Sequence, residues 1–66
     1  MKVSEFTEPE LNYLRLHCNF VGSERTVFEL RSKGISLEEI AEQTEYSHDG
    51  IKKISRRVNN KIIRVL

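Results

Sequence analysis

The stretch SLEEIAEQTEYSHDGIKKISRR, residues 36–57, contains two short apolar patterns separated by a polar break. Ser36 is followed three residues later by a glutamate, which is the spacing of a capping box, and Ser47 precedes the second apolar pattern as an N-cap. The stretch begins with carboxylates and ends with cations, so its two halves differ in charge. We therefore expect two consecutive helices, over 37–44 and 48–65, joined by a short turn.

Two further helices are predicted upstream. Thr7 and the glutamate three residues after it form another capping box, which predicts a helix over 7–20. Ser23 has the character of an N-cap and predicts a helix over 24–33, ended by a glycine. No alternation of apolar and polar residues competes with these helical patterns, so we expect no β wing.

Chain length and composition limit the architecture. A chain of 66 residues buries only about 60% of the surface that it exposes when unfolded, which leaves room for one small core. With 38% hydrophobic and 32% charged residues, the composition is typical of a folded domain. The fold class that we predict is therefore all-α: one four-helix domain over 1–66.

Several classes of site and location are disfavoured. No apolar run approaches the roughly 18 residues of a membrane span, so we expect a cytoplasmic protein without a membrane partner. Cys18 is the single cysteine, and with His17 and His48 it does not make the usual four-ligand structural zinc site. We expect no metal, no cofactor and, in the absence of a phosphate loop or a nucleophile–base pattern, no enzymatic activity.

Charge is divided unevenly along the chain. Residues 1–46 contain 5 Lys/Arg and 9 Glu, a net charge of −4, whereas residues 47–66 contain 6 Lys/Arg and 1 Asp, a net charge of +5. The basic end coincides with the last predicted helix. This asymmetry favours a polyanionic partner over an evenly solvated surface.

Helical periodicity assigns two sides to the last helix. One side carries the apolar residues Ile51, Ile54, Val58, Ile62 and Val65, and the other carries Lys52, Lys53, Arg56 and Asn60. In the preceding helix the small Ala41 permits close packing of the two helices. Together with the short turn, these features fit a helix-turn-helix motif, in which the first helix crosses the DNA backbone and the second presents its first residues to the major groove.

Residues 24–62 carry a family resemblance. Its matching features are Glu24, Arg25, Val27, Leu30, Gly34, Ser36, Glu39, Ile40, Ala41, Ser47, Ile51, Lys52, Val58 and Lys61. In this register the segment resembles the LuxR/GerE-type DNA-binding domains and the related fourth region of bacterial sigma factors. Thr44 departs from the pattern, because the family usually has leucine there. The resemblance implies a helix-turn-helix fold and DNA binding.

Candidate DNA contacts follow from the resemblance and from residue chemistry. The resemblance implies that Lys52 points into the major groove and that Lys61 supplies a basic group near the far end of the helix. The full predicted set is Ser47, His48, Lys52, Lys53, Arg56, Arg57 and Lys61. Arg56 suits a guanine because its guanidinium donates two parallel hydrogen bonds, whereas Lys53, Arg57 and Lys61 suit phosphates.

The first helix has apolar residues on two sides. Leu11, Leu14 and Cys18 form one stripe, and Tyr13, Leu16 and Phe20 form another on nearly the opposite side. Either the second stripe covers loops at the edge of one core, or it joins Ile63 and Leu66 in a dimer interface. Sequence alone leaves both arrangements open.

Two functions are consistent with these features. The first is a sequence-specific transcription regulator that binds double-stranded DNA as a homodimer. The alternative is a protein-binding module, sigma-like or antagonist, that docks on RNA polymerase or another transcription factor. The glutamates of the third helix, Glu38, Glu39, Glu42 and Glu45, either serve solvation and capping or offer RNA polymerase an acidic surface.

Overall fold

The computed structural model describes residues 2–66 as a bundle of α-helices without a β-strand, which confirms the predicted all-α fold class. A 3₁₀ turn comes first, and four α-helices follow within the described range. The elements are the 3₁₀ turn Val3–Glu5, α1 Glu8–His17, α2 Ser23–Ser32, α3 Leu37–Gln43 and α4 His48–Val65.

Three of the four helices begin at the predicted caps. The Thr7 hydroxyl accepts from the Glu10 backbone N–H, and the Glu10 carboxylate accepts from the Thr7 N–H at 2.8 Å, so this capping box is confirmed. Ser36 accepts from the N–H of Glu39 at 3.2 Å, without the reciprocal bond. Ser47 accepts from the backbone N–H three residues later, at 3.1 Å, and so starts α4.

The start of α2 differs from the prediction. Ser23 lies inside the helix, and the N-cap is Gly22. Its φ of 54° is one that residues other than glycine rarely adopt. Because glycine has no side chain, this N-cap supplies no side-chain capping bond. Instead the Glu24 carboxylate accepts from the N–H of Val21 at 3.3 Å, while the Glu24 N–H donates to the Val21 carbonyl at 3.0 Å. The first-turn N–H of Glu24 thus donates to a backbone carbonyl in place of the predicted serine hydroxyl.

The end of α1 corrects a second prediction. The helix ends at His17, and Asn19 adopts a left-handed φ of 53°, so the chain leaves the helical path before residue 20. Phe20 consequently turns inward and is only 4% exposed, with its ring centroid 4.6 Å from that of Phe28. The prediction that Phe20 belongs to an exposed dimer interface is therefore wrong.

All four helices contribute to one core. Its most deeply buried members include Phe28 of α2, Ile40 of α3, and Ile51 and Ile62 of α4. The predicted apolar side of α4 is confirmed, since its isoleucines at 51, 54 and 62 and its valine at 58 are buried. The 3₁₀ turn adds Val3 to this core by packing on α2, a contribution that the sequence did not indicate.

The connection between α3 and α4 is a four-residue turn over 44–47. Thr44 closes α3: its N–H and its hydroxyl both donate to the carbonyl of Ile40, at 3.0 and 2.8 Å. The same hydroxyl accepts from the N–H of Tyr46 at 3.4 Å. Thr44, the departure from the family pattern, therefore supplies hydrogen bonds that shape the turn and direct α4.

Candidate nucleic-acid interface

The exposed side of α4 carries five cations. Its inward side is occupied by the buried isoleucines, so the polar residues between them point away from the core. We call the exposed basic residues of this helix, Lys52, Lys53, Arg56, Arg57 and Arg64, the cationic face. Their spacing follows directly from the 3.6-residue turn.

The cationic face forms no ion pair with a carboxylate of residues 2–66. Within residues 2–66 the ion pairs join Arg15 to Glu8 and Glu29, and Lys61 to Glu24; none involves the cationic face. The acidic residue on α4 itself is Asp49, in the first turn, where a negative charge favours the helix dipole. The face therefore presents concentrated positive charge to solvent.

Lys61 lies apart from the other predicted contacts. Its ammonium pairs with the Glu24 carboxylate and donates to the carbonyl of Asn19 at 3.1 Å, which ties α4 to the loop between α1 and α2. The residue is half-buried because it sits beside the apolar side of the helix. The prediction that Lys61 contacts phosphate does not fit this arrangement. The structure gives Lys61 a role in orienting α4.

The Glu24 carboxylate is nearly buried, and its Oε1 accepts from both Lys61 and the Val21 N–H. The hydrogen bond from Lys61 holds its pKa below the ordinary value, against the opposing effect of burial, and the Val21 N–H acts in the same direction as Lys61. Arg57 also lowers this pKa through its charge. Arg57 therefore stands at the border between the cationic face and the Lys61–Glu24 pair.

The first turn of α4 presents polar groups beside the cationic face. Ser47 and His48, two of the predicted contacts, are exposed there, as is Asp49. Gly50 lies half-buried under the cap, and a Cβ added to it would stand 3.2 Å from the Ser47 hydroxyl, so glycine permits this close packing. Tyr46, which was not among the predicted contacts, is 49% exposed in the turn.

The glutamates predicted to form an acidic surface on α3 are exposed. This applies to Glu38, Glu39 and Glu42 of α3 and to Glu45 in the turn after it. The Glu39 backbone N–H also donates the N-cap hydrogen bond to the Ser36 hydroxyl. The acidic residues and the cationic face thus occupy consecutive helices, and the charge division seen in the sequence persists in the fold.

A second exposed feature lies at the other end of α4. Tyr13 and Leu66 line a groove of about 230 Å³ together with Phe6, Pro9, Glu10 and Leu14. Ile63 precedes Leu66 by nearly one turn and is 61% exposed. Leu16 is also exposed, but it does not line the groove. Four of the five residues predicted for a dimer interface are therefore at the surface, and three of them lie at this end.

Comparisons of the chain with protein-family models, with curated proteins and with solved structures gave no match. Among residues 2–66, no helix combines the length and the apolar character that crossing a bilayer requires.

Proposed function

We propose that the protein is a sequence-specific DNA-binding transcription regulator whose α4 enters the major groove. The observation that carries the proposal is the cationic face: five exposed cations, free of ion pairs with described residues, on the helix that follows a short turn. Close spacing of like charges is unfavourable without a counter-charge, and duplex DNA supplies about one negative charge per 1.7 Å of its axis.

The first half of α4 contains the groups suited to base contacts. Lys52 and Arg56 lie one turn apart on the exposed side, and the planar guanidinium of Arg56 matches the two acceptors of guanine. Lys53 and Arg57 flank them and suit phosphates of the adjacent backbone. Ser47 and His48, at the start of the helix, add donors where the helix would meet the groove.

Two copies are part of this proposal. One copy brings only a handful of cations to DNA, and affinity rises with the number of phosphates neutralised, so a homodimer on a palindromic site gives the binding that regulation needs. The proposed role is one of binding rather than catalysis, and the proposed location is the cytoplasm.

Selection of duplexes from a random pool, followed by titration of the enriched sequence, tests the proposal. Lys52→Ala and Arg56→Ala should each weaken binding by about 1–3 kcal/mol, roughly five- to 150-fold in Kd. Lys33→Ala and Arg25→Ala are the matched controls, since each removes one exposed cation from α2 or its C-cap. The controls should change binding little.

The proposal fails if no sequence is enriched from the pool. It also fails if the two α4 variants bind the selected duplex as tightly as the wild type. Equal weakening by the α2 controls would mean that charge alone, rather than α4, governs binding.

A protein-binding module that docks on RNA polymerase or another transcription factor is the second candidate. The exposed Tyr13, Ile63 and Leu66 favour it, because monomeric proteins seldom cluster large apolar side chains at the surface. Capture of RNA polymerase from lysate, with no gel shift on any duplex, would favour this candidate over the first.

A further inference from the structure

The exposed side of α4 changes character along its length. Lys52 and Arg56 occupy its first half, Asn60 follows as a neutral amide, and Ile63 and Leu66 occupy its end. Exposure of these apolar side chains to water is unfavourable, and burying them against another surface would stabilise the protein. This gradation divides the helix between two different contacts.

The apolar end is built from two helices. Leu66 forms part of the groove wall, Tyr13 of α1 forms another part, and Ile63 stands beside Leu66 on the helix surface. We call Tyr13, Ile63, Leu66 and the groove the end surface. Because α1 and α4 share one core, the end surface has a fixed position relative to the cationic face.

We propose that the end surface binds the end surface of a second copy about a two-fold axis, so that the paired α4 helices present their first turns to successive major grooves. This inference rests on the proposed function and names the surface through which two copies would form the DNA-binding homodimer. It leaves Leu16 outside the interface, because Leu16 does not line the groove.

The length of α4 fits this arrangement. Residues 48 and 63 are 15 steps apart, which is about 22 Å along the helix axis. Two helices that meet near residue 63 bring their first residues up to about 45 Å apart when fully opposed. They reach the roughly 34 Å repeat of the major groove when each is inclined by roughly 50° to the two-fold axis. With fewer than about 12 residues between the first turn and the contact, the two helices would fall short of that spacing even when fully opposed.

The end surface also has the properties of a self-complementary contact. It places a ridge, Ile63, beside a groove, and a two-fold contact requires that the same surface supply both. Charges complement the shape: Glu10 is on the groove wall, while Arg64, the member of the cationic face farthest from the first turn and outside the predicted DNA contacts, lies next to Ile63 and has no ion pair among the described residues. Arg64 of one copy can therefore face Glu10 of the other.

The size of the end surface determines when the pair forms. A standard interface takes about 800 Å² from each partner, which would be nearly a fifth of the 4549 Å² surface of this chain. Three exposed apolar side chains and a small groove supply less than that. We therefore expect weak self-association of the free protein and cooperative pairing on DNA, where one bound copy raises the effective concentration of the next.

Two matched variants test the inference on duplexes that carry the selected half-site once or twice. Ile63→Glu and Leu16→Glu each replace an exposed apolar residue with one negative charge, the first inside the end surface and the second outside it. The wild type and Leu16→Glu should bind the double site cooperatively, two copies per duplex. Ile63→Glu should lose about tenfold or more in double-site affinity while its affinity for the single half-site changes little.

Spacing and free-protein measurements complete the test. Insertion of five base pairs between half-sites places them on opposite faces of the duplex and should abolish cooperativity of the wild type. Sedimentation of the free protein at several hundred micromolar should show association for the wild type and Leu16→Glu but not for Ile63→Glu. An unchanged melting curve of Ile63→Glu shows that the variant is folded.

If Ile63→Glu still binds the double site cooperatively, the end surface is not the contact between copies. The same conclusion follows if Leu16→Glu loses cooperativity as much as Ile63→Glu does. If the wild type binds a single half-site but stays monomeric and non-cooperative on the double site, the inference fails while the proposed function stands. If the end surface captures RNA polymerase and does not associate with itself, the inference fails as well. If no duplex binds, the proposed function fails, and sedimentation alone decides whether the end surface pairs copies.

Discussion

Lys61→Met provides the sharpest test of how the fold positions α4. The substitution retains an apolar stem of similar length and removes the ammonium that pairs with Glu24 and caps the carbonyl of Asn19. The Glu24 carboxylate belongs to a residue that is only 7% exposed. Without the ammonium, it keeps a hydrogen bond from the Val21 N–H alone among the described residues. The structure therefore predicts a loss of stability rather than a loss of DNA contact.

The size of the loss follows from the burial of the two partners. Breaking a fully buried ion pair costs about 3–5 kcal/mol, and a hydrogen bond to a charged group contributes about 1.5–3 kcal/mol. The Lys61 side chain is 28% exposed, so water compensates part of the loss, and we expect about 2 kcal/mol. For a domain of this size that corresponds to a fall in Tm of roughly 8–16 °C.

Thermal and urea denaturation of the wild type, Lys61→Met, Glu24→Gln and the double variant measure this effect as a double-mutant cycle. The pKa of Glu24 is lowered in the folded state, so the pair contributes stability above the ordinary glutamate value of 4.5 and loses it as pH falls through the lowered value. The difference between the wild type and Lys61→Met should therefore be present at pH 7 and shrink in acid.

The opposite pattern would refute this reasoning. If Lys61→Met melts like the wild type but weakens DNA binding as much as Lys52→Ala, its ammonium reaches phosphate in solution. A difference in stability that does not change between pH 7 and pH 3 would mean that Glu24 is not the partner.

Two further substitutions test the local structure around α3 and α4. Ser47→Ala removes the N-cap acceptor of the α4 first turn and should lower the free energy of unfolding by about 1 kcal/mol, measured by urea denaturation. Gly34→Ala places a side chain at a φ of +83°, where open space surrounds the Cβ, so a loss of about 1 kcal/mol would come from the backbone alone. A Gly34→Ala variant as stable as the wild type would show that the turn relaxes to another conformation.

Local signals in the sequence predicted most of the helical framework. Thr7, Ser36 and Ser47 each have a hydroxyl that accepts from the backbone three residues later, and this short-range chemistry operates wherever the rest of the chain packs. The inward side of α4 was predictable for a similar reason, because a long amphipathic helix has one side that suits a core.

The errors arose where the helical period no longer applies. The prediction for Phe20 extended the period of α1 past its end, but the left-handed Asn19 changes the direction of the chain and places Phe20 on Phe28. The 3₁₀ turn that buries Val3 is too short to carry a period of its own. Neither feature has a local pattern that would reveal it in one sequence.

Long-range pairs were equally inaccessible from the sequence. Glu24 and Lys61 are 37 residues apart, and Arg15 and Glu29 are 14 apart, joined by hydrogen bonds of 2.6 and 2.8 Å. Which cation finds a carboxylate depends on how the helices pack, so periodicity could not separate Lys61 from the other basic residues of α4. The structure makes that separation, because Lys61 is the basic residue of α4 that it pairs with a carboxylate among residues 2–66.

The same separation strengthens the argument for α4 as a recognition helix. The described ion pairs use Arg15 and Lys61, and they leave the cationic face, like Arg25, Arg31 and Lys33 of the α2 region, without an ion-pair partner. Exposed pairs contribute little to stability, so folding alone requires neither pairing nor clustering of these cations. Clustering on one side of one helix, next to a hydrogen-bonded turn, does raise the local field that attracts a polyanion. The basic residues of α4 are thus divided by their distance from the core. Lys61, the nearest, pairs with Glu24 and stabilises the helix, whereas the cationic face stays exposed to a partner.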